Sequence, residues 1–349
     1  MYYAHFGLTR APFRNTPDPS LFFSGADRGS VLEALAYVVI SGEGITKVIG
    51  EVGSGKTMLC RMLEEKLPEQ VTTIYIGNPN IAPENILHTI AFEAGLSELP
   101  ENNVELMHQF QEWLVQCHRE GRRVVVLIEE AQGMPVETLE EIRLLSNLET
   151  SREKLMQIVL FGQPELDQTL ARQDIRQLQD RIAYNFYLSP LNPDQIRDYL
   201  NFRVRQAGYH GPDLFGRRVS NTISRSSKGL IRRVNILADK TLLAAYSVGT
   251  THLRLRHVKV AANDSEFGKE MVRQKSLWRP LLGGISAGIL LASVLAWYFW
   301  PTRASDSALR ASAAEMRATT IPATAVSATS PPGSAQDEAE QLTPEQYPE

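Results

Sequence analysis

Gly50, Glu51, Val52, Gly53, Ser54, Gly55, Lys56 and Thr57 fit the pattern G-x-x-x-x-G-K-[ST] in full. These residue types in this order hold phosphate. The glycines let main-chain N–H groups curl around β- and γ-phosphate oxygens with no Cβ in the way. Lys56 neutralises phosphate charge, and a hydroxyl at the place of Thr57 is a Mg2+ ligand. The eight residues are therefore a candidate nucleotide-binding set, with ATP and Mg2+ as the implied ligands. Chance produces the pattern in about one chain in a hundred of this length, so a glycine-rich turn without function is the weaker explanation.

A second group lies 72 residues beyond Thr57, where the apolar run 124–128 ends in Glu129 and Glu130. A buried strand that delivers two carboxylates beside a phosphate loop suits one for Mg2+, shared with Thr57, and one for polarising the attacking water. The first is more often Asp. The extra methylene of Glu129 displaces the carboxylate by about one C–C bond, which predicts slow turnover with binding less affected. Gln163 follows the run 157–161, where it could meet a γ-phosphate or simply form a surface turn with Pro164. Arg176 and Arg181 precede the run 184–188, and Arg232 and Arg233 follow Gly229. Alone, these arginines are solvated surface charges; beside a phosphate loop they become candidates for phosphate contacts.

A phosphate loop needs a strand before it and a helix after it. The sequence supplies both: a β-rich run at 46–49 and an amphipathic stretch at 58–67. Further short apolar runs at 72–76, 124–128, 157–161 and 184–188 read as strands covered on both faces. Helical patterns at 83–94, 104–119 and 135–148 separate them, with Pro83 and Pro135 placed as first helical residues. Strands alternating with helices predict an α/β unit with a parallel sheet flanked by helices over 1–190. Strands then cease. Helices at 193–207, 214–225 and 230–248, with Gly208 and Gly249 as stops, predict a helical unit over 191–268.

Residues 280–302 carry no charge, and 281–300 is an apolar stretch of 20 residues. As a helix it rises about 30 Å, the thickness of a bilayer's hydrocarbon core. Trp278 at one end and Trp297, Tyr298 and Trp300 at the other suit interfacial positions. A buried core helix is the alternative, but nothing after it offers a surface to bury against. Lys269, Arg273, Lys275 and Arg279 make 269–280 a basic linker, so the positive-inside rule places the N-terminal units in the cytoplasm and the tail in the periplasm. The chain is thus expected in the inner membrane, single-pass. The tail, 301–349, is rich in Ala, Ser, Thr, Pro and Glu and reads as disordered.

Composition bounds the remaining possibilities. The chain has 349 residues and a formal net charge of −4. The tail's three arginines against seven carboxylates account for all of that charge, so 1–300 sums to zero. This excludes a generally basic nucleic-acid-coating protein. Two cysteines, Cys60 and Cys117, exclude a disulfide-rich scaffold, and the seven histidines form no zinc-site pattern.

Together, MYYAHFGLTRAPFRNTPDPSLFF, GEVGSGKT, LIEEAQ, RLLSNLET, LFGQPELD, RQLQDRI and SKGLIRRVNILADKTLLAAY resemble the AAA+ ATPases of the general secretion pathway protein A (ExeA) type, over roughly residues 1–265. The resemblance implies an AAA+ P-loop core over 1–190 and a helical lid over 191–268. It further implies a homo-oligomer with nucleotide between neighbours, and secretion or type IV pilus assembly proteins as partners. By position it places Gln163 at sensor 1, Arg181 as the arginine finger with Arg176 second, and Arg232 at sensor 2. Ile231 stands where the family has proline. The 49-residue tail has no apolar pattern long enough for the periplasmic peptidoglycan-binding region of such proteins, so peptidoglycan binding is not expected.

The expected function is ATP hydrolysis in support of a type II secretion or MSHA-like type IV pilus system. Two alternatives stand beside it. Basic residues at Arg217, Arg218, Arg225, Lys228, Arg232, Arg233 and 254–259 would suit a DNA-handling ATPase resembling transposition helpers, although the balanced charge makes nucleic acid the less expected partner. Glu129 would suit a scaffold that binds ATP without hydrolysing it.

Overall fold

The computed structural model describes residues 2–42, 44–150, 153–265, 288 and 291–295. The chain divides into two compact units, Met1–Trp278 and Arg279–Glu349.

In the first unit, five strands form one parallel sheet: β1 (Ile45–Gly50), β2 (Val71–Ile76), β3 (Arg123–Ile128), β4 (Met156–Gly162) and β5 (Ile182–Leu188). Their spatial order is β2-β3-β4-β1-β5. Helices α1 (Arg28–Ser41), α2 (Lys56–Lys66), α3 (Pro83–Glu93), α4 (Asn103–Arg119), α5 (Val136–Leu145), α6 (Pro164–Leu170) and α7 (Arg176–Gln179) accompany the sheet. Each strand run expected from sequence lies inside an observed strand.

The three layers follow from the period of two along a strand. Val124, Val126 and Ile128 of β3 join Ile74, Ile158 and Leu160 in a core with α3, α4 and α5. The intervening Val125 and Leu127 face the other way, joining Val48, Val159 and Phe161 under α1 and α2. A strand buried on both faces has to be apolar throughout, and β3 is after its first residue. β5 is the edge and alternates half-buried with exposed residues until Leu188. One buried cation interrupts the pattern: Lys47 of β1 pairs with Asp167 of α6.

Local chemistry sets the ends of the helices. Pro83 opens α3, and Asn102 caps α4 by accepting from Val104 N at 2.9 Å. Helix α5 is shorter than expected at both ends. Pro135 is its cap rather than its first residue, and past Leu145 the backbone turns back, with Leu155 N donating to Leu148 O at 3.0 Å. Helix α1 gave no clear sequence pattern, because its apolar residues are spread around it and Asp27 makes no side-chain cap.

After β5 come α8 (Pro193–Gln206), α9 (Arg217–Ser227), α10 (Ile231–Tyr246) and α11 (Leu255–Asn263). A capping box between Asn192 and Gln195 starts α8. Gly229 sets the entry to α10: its φ is +78°, and a Cβ there would meet Leu191 O at 2.5 Å. These helices share a core that includes Leu200, Phe215, Ile223, Leu237 and Leu242. The N-terminal segment, expected within the sheet unit, instead sends Tyr2, Phe6, Leu8 and Phe13 into this helical core. The end of α8 offers free carbonyls that hold it there: Thr9 N donates to Ala207 O at 2.8 Å.

In the second unit, residues 288 and 291–295 are helical. Among the described residues no helix is long and apolar enough to cross a membrane. Most of the span expected at 281–300, the basic linker at 269–280 and the tail at 301–349 lie outside the described residues.

Candidate functional site

The strand order decides which chain segments meet. β4 lies between β1 and β3, so the loops leaving the carboxyl ends of β1, β4 and β3 are neighbours, although they start at residues 51, 163 and 129. Strands in a sheet are about 4.8 Å apart, so side chains from three such loops reach one another. Ligands of open parallel sheets bind at this edge.

The loop after β1 runs straight into α2. Gly53 and Gly55 take φ of +79° and +105°, which only glycine adopts without strain. Lys56 opens α2 and is nearly buried; its Nζ donates to Gly50 O at 2.7 Å and Glu51 O at 3.3 Å. Burial lowers its pKa, against the opposing pull of Glu130 and Glu129. Ser54 Oγ is buried without a hydrogen-bond partner.

Thr57 Oγ1 donates to Glu129 Oε2 at 2.7 Å, and Tyr75 OH donates to Glu129 Oε1 at 3.2 Å. Burial first, and then the Glu129 charge, push the Tyr75 phenol up to about 12. The same two causes raise the Cys60 thiol, one turn along α2. Glu129 has no cationic side chain within ion-pair distance among the described residues. A hydroxyl and a carboxylate oxygen side by side, the carboxylate without a direct ion-pair partner among the described residues, are hard donors that fit Mg2+.

Glu130 is built differently. Its φ is +52°, a left-handed conformation that a glutamate adopts only when its surroundings hold it there. Gln132 Nε2 and Gln163 Nε2 both donate to Glu130 Oε2, at 2.7 and 2.9 Å. Gln132 Oε1 also accepts from Gln163 N at 2.9 Å. Burial works to raise the Glu130 pKa, but the two amides and the Lys56 charge outweigh it and hold the carboxyl below its usual range. The acid is therefore ionised, aimed, and left with Oε1 free of protein partners among the described residues.

A cavity of about 390 Å3 opens beside the loop. Lys56, Arg232, Arg14, Arg28 and Arg203 line it against one carboxylate, Glu130. Arg28 and Arg203 are only 6% and 4% exposed, and neither has a carboxylate partner among the described residues. Arg28 donates instead to Ser54 O at 3.2 Å and Ser189 O at 3.3 Å. Buried charges are ordinarily paired; a cavity with this lining suits a polyanion.

Of the residues singled out by sequence, the eight of the glycine loop, Glu129, Glu130, Gln163 and Arg232 come together. Gln163 caps α6 and touches Glu130, so the surface-turn alternative does not describe it. Arg232 N donates to Gly53 O at 3.1 Å, which brings the start of α10 onto the loop. Arg181 does not join them. It accepts from Ile45 N at 3.4 Å, at the opposite end of β1 from Gly50, about 17 Å away by strand rise. Arg176 is exposed at the start of α7. Sequence reading missed Tyr75, Gln132, Arg28 and Arg203. Gln132 alone left a signal, its place two residues after the acidic pair.

Residues 39–170 match the AAA domain family. General secretion pathway protein A of Aeromonas hydrophila is 34% identical over 301 residues, 86% of this chain and 54% of that protein. The chain fits the ExeA-type AAA+ ATPases. It spans about half the length of that curated relative. Solved structures share the fold at low identity. The Aeropyrum pernix ORC2 protein, in ADPNP–ADP complexes, superposes with a TM-score of 0.55 at 19% identity, covering 73% of this chain and 71% of that one. Cdc6p of Pyrobaculum aerophilum gives 0.54 at 18%, covering 71% of each. The AAA domain thus contains the glycine loop, the acidic pair and Gln163, while Arg14, Arg28, Arg203 and Arg232 come from outside it.

Proposed function

We propose that this chain is a membrane-anchored AAA+ ATPase that binds ATP at residues 50–57 and hydrolyses it to support a type II secretion or MSHA-like type IV pilus system. The convergence of Thr57 with Glu129, and of Gln163 with Glu130, beside one phosphate loop carries the reading. Main-chain N–H groups of the loop and Lys56 bind the β- and γ-phosphates. Thr57 and Glu129 would hold Mg2+, which supplies charge neutralisation on the phosphate oxygens. Glu130 Oε1 accepts a proton from the attacking water while Gln132 and Gln163 keep the carboxylate aimed. Arg232 reaches the phosphates from the helical lid, α8–α11. Arg181 serves a neighbouring subunit's ATP in a homo-oligomer, because its own site is a sheet's length away. Nucleotide-dependent movement of the lid against the sheet would alter the oligomer or its grip on assembly partners.

The secretion or pilus role rests on the likeness to general secretion pathway protein A, and the anchor on the uncharged stretch 281–300. The basic linker before that stretch supports an inner-membrane protein with its ATPase unit in the cytoplasm. Titration of the full chain with ATP in the presence of magnesium tests the site. Wild type binds, and Lys56→Ala does not; equal binding by both would remove the assignment. Turnover of wild type beside Glu129→Asp then tests the long metal ligand: the Asp variant is faster, with ATP affinity little changed, and a slower one contradicts that role.

A further inference from the structure

Arg203, in the last turn of α8, is buried and far from the glycine loop in sequence, yet it lines the same cavity. Among the described residues its hydrogen bonds go to neutral oxygens, and Asp18 feels its charge without pairing with it. Nε donates to Pro12 O at 2.7 Å, Nη1 to Tyr199 OH at 2.8 Å, and Nη2 to Arg14 O at 3.5 Å. The guanidinium also lies 5.5 Å from the Tyr199 ring centroid. Tyr199 OH donates in turn to Asn235 Oδ1 at 2.7 Å. Asn235 stands one turn along α10 from Arg232, whose N–H holds Gly53 O. Side-chain hydrogen bonds therefore join the N-terminal segment to α8 and α10, and one turn of α10 separates their end at Asn235 from the contact of Arg232 N with the phosphate loop.

The N-terminal end of these bonds is a wall of the cavity. Asn15, Thr16, Pro17, Phe22 and Phe23 line the same cavity as the glycine loop, and offer apolar and aromatic surface that a phosphate chain alone does not use. The segment is anchored upstream by Thr9 on Ala207 O, and Phe23 meets the Tyr199 ring edge-on at 5.6 Å. Between these anchors, the carbonyls of Pro12 and Arg14 are held by Arg203.

We infer that Arg203 is a positioning residue for the nucleoside half of the ligand: it fixes the 14–17 wall and, through Tyr199 and Asn235, ties that wall to the helix that holds the phosphate loop. The inference rests on the ATP-binding reading. It accounts for an arginine where a structural pin would ordinarily be apolar. A planar fork reaches the carbonyls of Pro12 and Arg14 and a phenol at once, and lysine has no such geometry. The charge itself is offset when a polyanion enters the cavity.

The test separates the two halves of the ligand. Full chain in detergent micelles is titrated with ATP and, separately, with inorganic tripolyphosphate, both with magnesium. Arg203→Lys and Arg203→Met should weaken ATP binding by about ten- to a hundredfold, the loss expected when a hydrogen bond to a charged group goes. Tripolyphosphate binding should stay as in wild type for Arg203→Lys, which keeps the charge, and should fall by less than ATP binding for Arg203→Met, which removes it. Tyr199→Phe, which removes one oxygen and keeps the ring, should move ATP in the same direction by less. Equal losses for both ligands, or no loss for either, overturn the inference. If Arg203→Met fails to fold, Arg203→Lys and Tyr199→Phe give the same readings. A wild type that binds tripolyphosphate no worse than ATP refutes the nucleoside wall while leaving the phosphate site intact; one that binds neither refutes the ATP-binding reading itself.

Discussion

The sheet unit and the helical unit carry opposite charge. Residues 1–190 contain 16 Lys and Arg against 26 Asp and Glu, a net of −10, whereas 191–265 contain 13 against 5 and no glutamate, a net of +8. The acids that could act on a phosphate, Glu129 and Glu130, stand on the sheet. The sheet unit supplies one lysine for the phosphates, Lys56, while Arg28 gives its two terminal nitrogens to backbone carbonyls and keeps a buried Nε without a partner among the described residues. The helical unit adds Arg232 and Arg203 to the cavity. On the proposed function, a triphosphate would be met by reactive groups from one unit and compensating charge from the other. The contact of Arg232 N with Gly53 O is where the two join at the loop.

This division can be broken on the sheet side first. Glu130→Gln keeps the shape and the neighbouring amides but removes the proton acceptor. It should lower kcat by about 10²- to 10⁴-fold with ATP binding retained; steady-state turnover beside a binding titration checks it. If turnover survives, the sheet acid is not the base.

The join itself comes next. A Cβ on Gly53 would lie 2.7 Å from the Arg232 Cβ, on a backbone at φ +79°. Gly53→Ala should therefore weaken ATP binding by about tenfold, since a left-handed alanine costs roughly 1–2 kcal/mol before the clash is counted. It should also make the start of α10 more open to hydrogen exchange. Loss of affinity without that change at α10 would show that the two units do not meet through this contact.

The smallest effect concerns aim rather than chemistry. The amides of Gln132 and Gln163 and the Lys56 charge hold the Glu130 carboxyl below the ordinary glutamate value of 4.5, against the upward push of burial. A depressed carboxylate stays ionised as pH falls until its own pKa is reached, so the acid limb of kcat/KM should lie below pH 4.5 wherever the fold survives. Gln132→Ala removes a donor to the ionised form, so the limb should move up in pH. A limb that stays in place would make Gln132 a bystander.

Much of the sheet was legible because each strand is a short apolar run between helices, and burial on both faces demands that. The glycine loop was legible because its geometry excludes other residue types. The acidic pair was legible through its distance from Thr57 and its place after a strand. Gln163 was half legible: its position after β4 was visible, its partner was not. Tyr75 and Arg28 were invisible, since a tyrosine ending a strand and an arginine opening a helix are ordinary. Helix α11 was hidden as well, since its cationic residues read as a basic patch.

The sequence by itself determined the phosphate loop, the parallel sheet and the change to helices near residue 191. Each follows from local rules: glycine at positive φ, period two in strands, period 3.6 in helices. Only the tertiary structure decided that β4 sits between β1 and β3, which brings Gln163 to Glu130, and that the first 23 residues join the helical core rather than the sheet. Only it decided that Arg181 stands at the far end of β1 from Gly50. These depend on strand order and on where aromatic surface finds cover. Both are set by contacts between residues far apart in the chain, which no local pattern records.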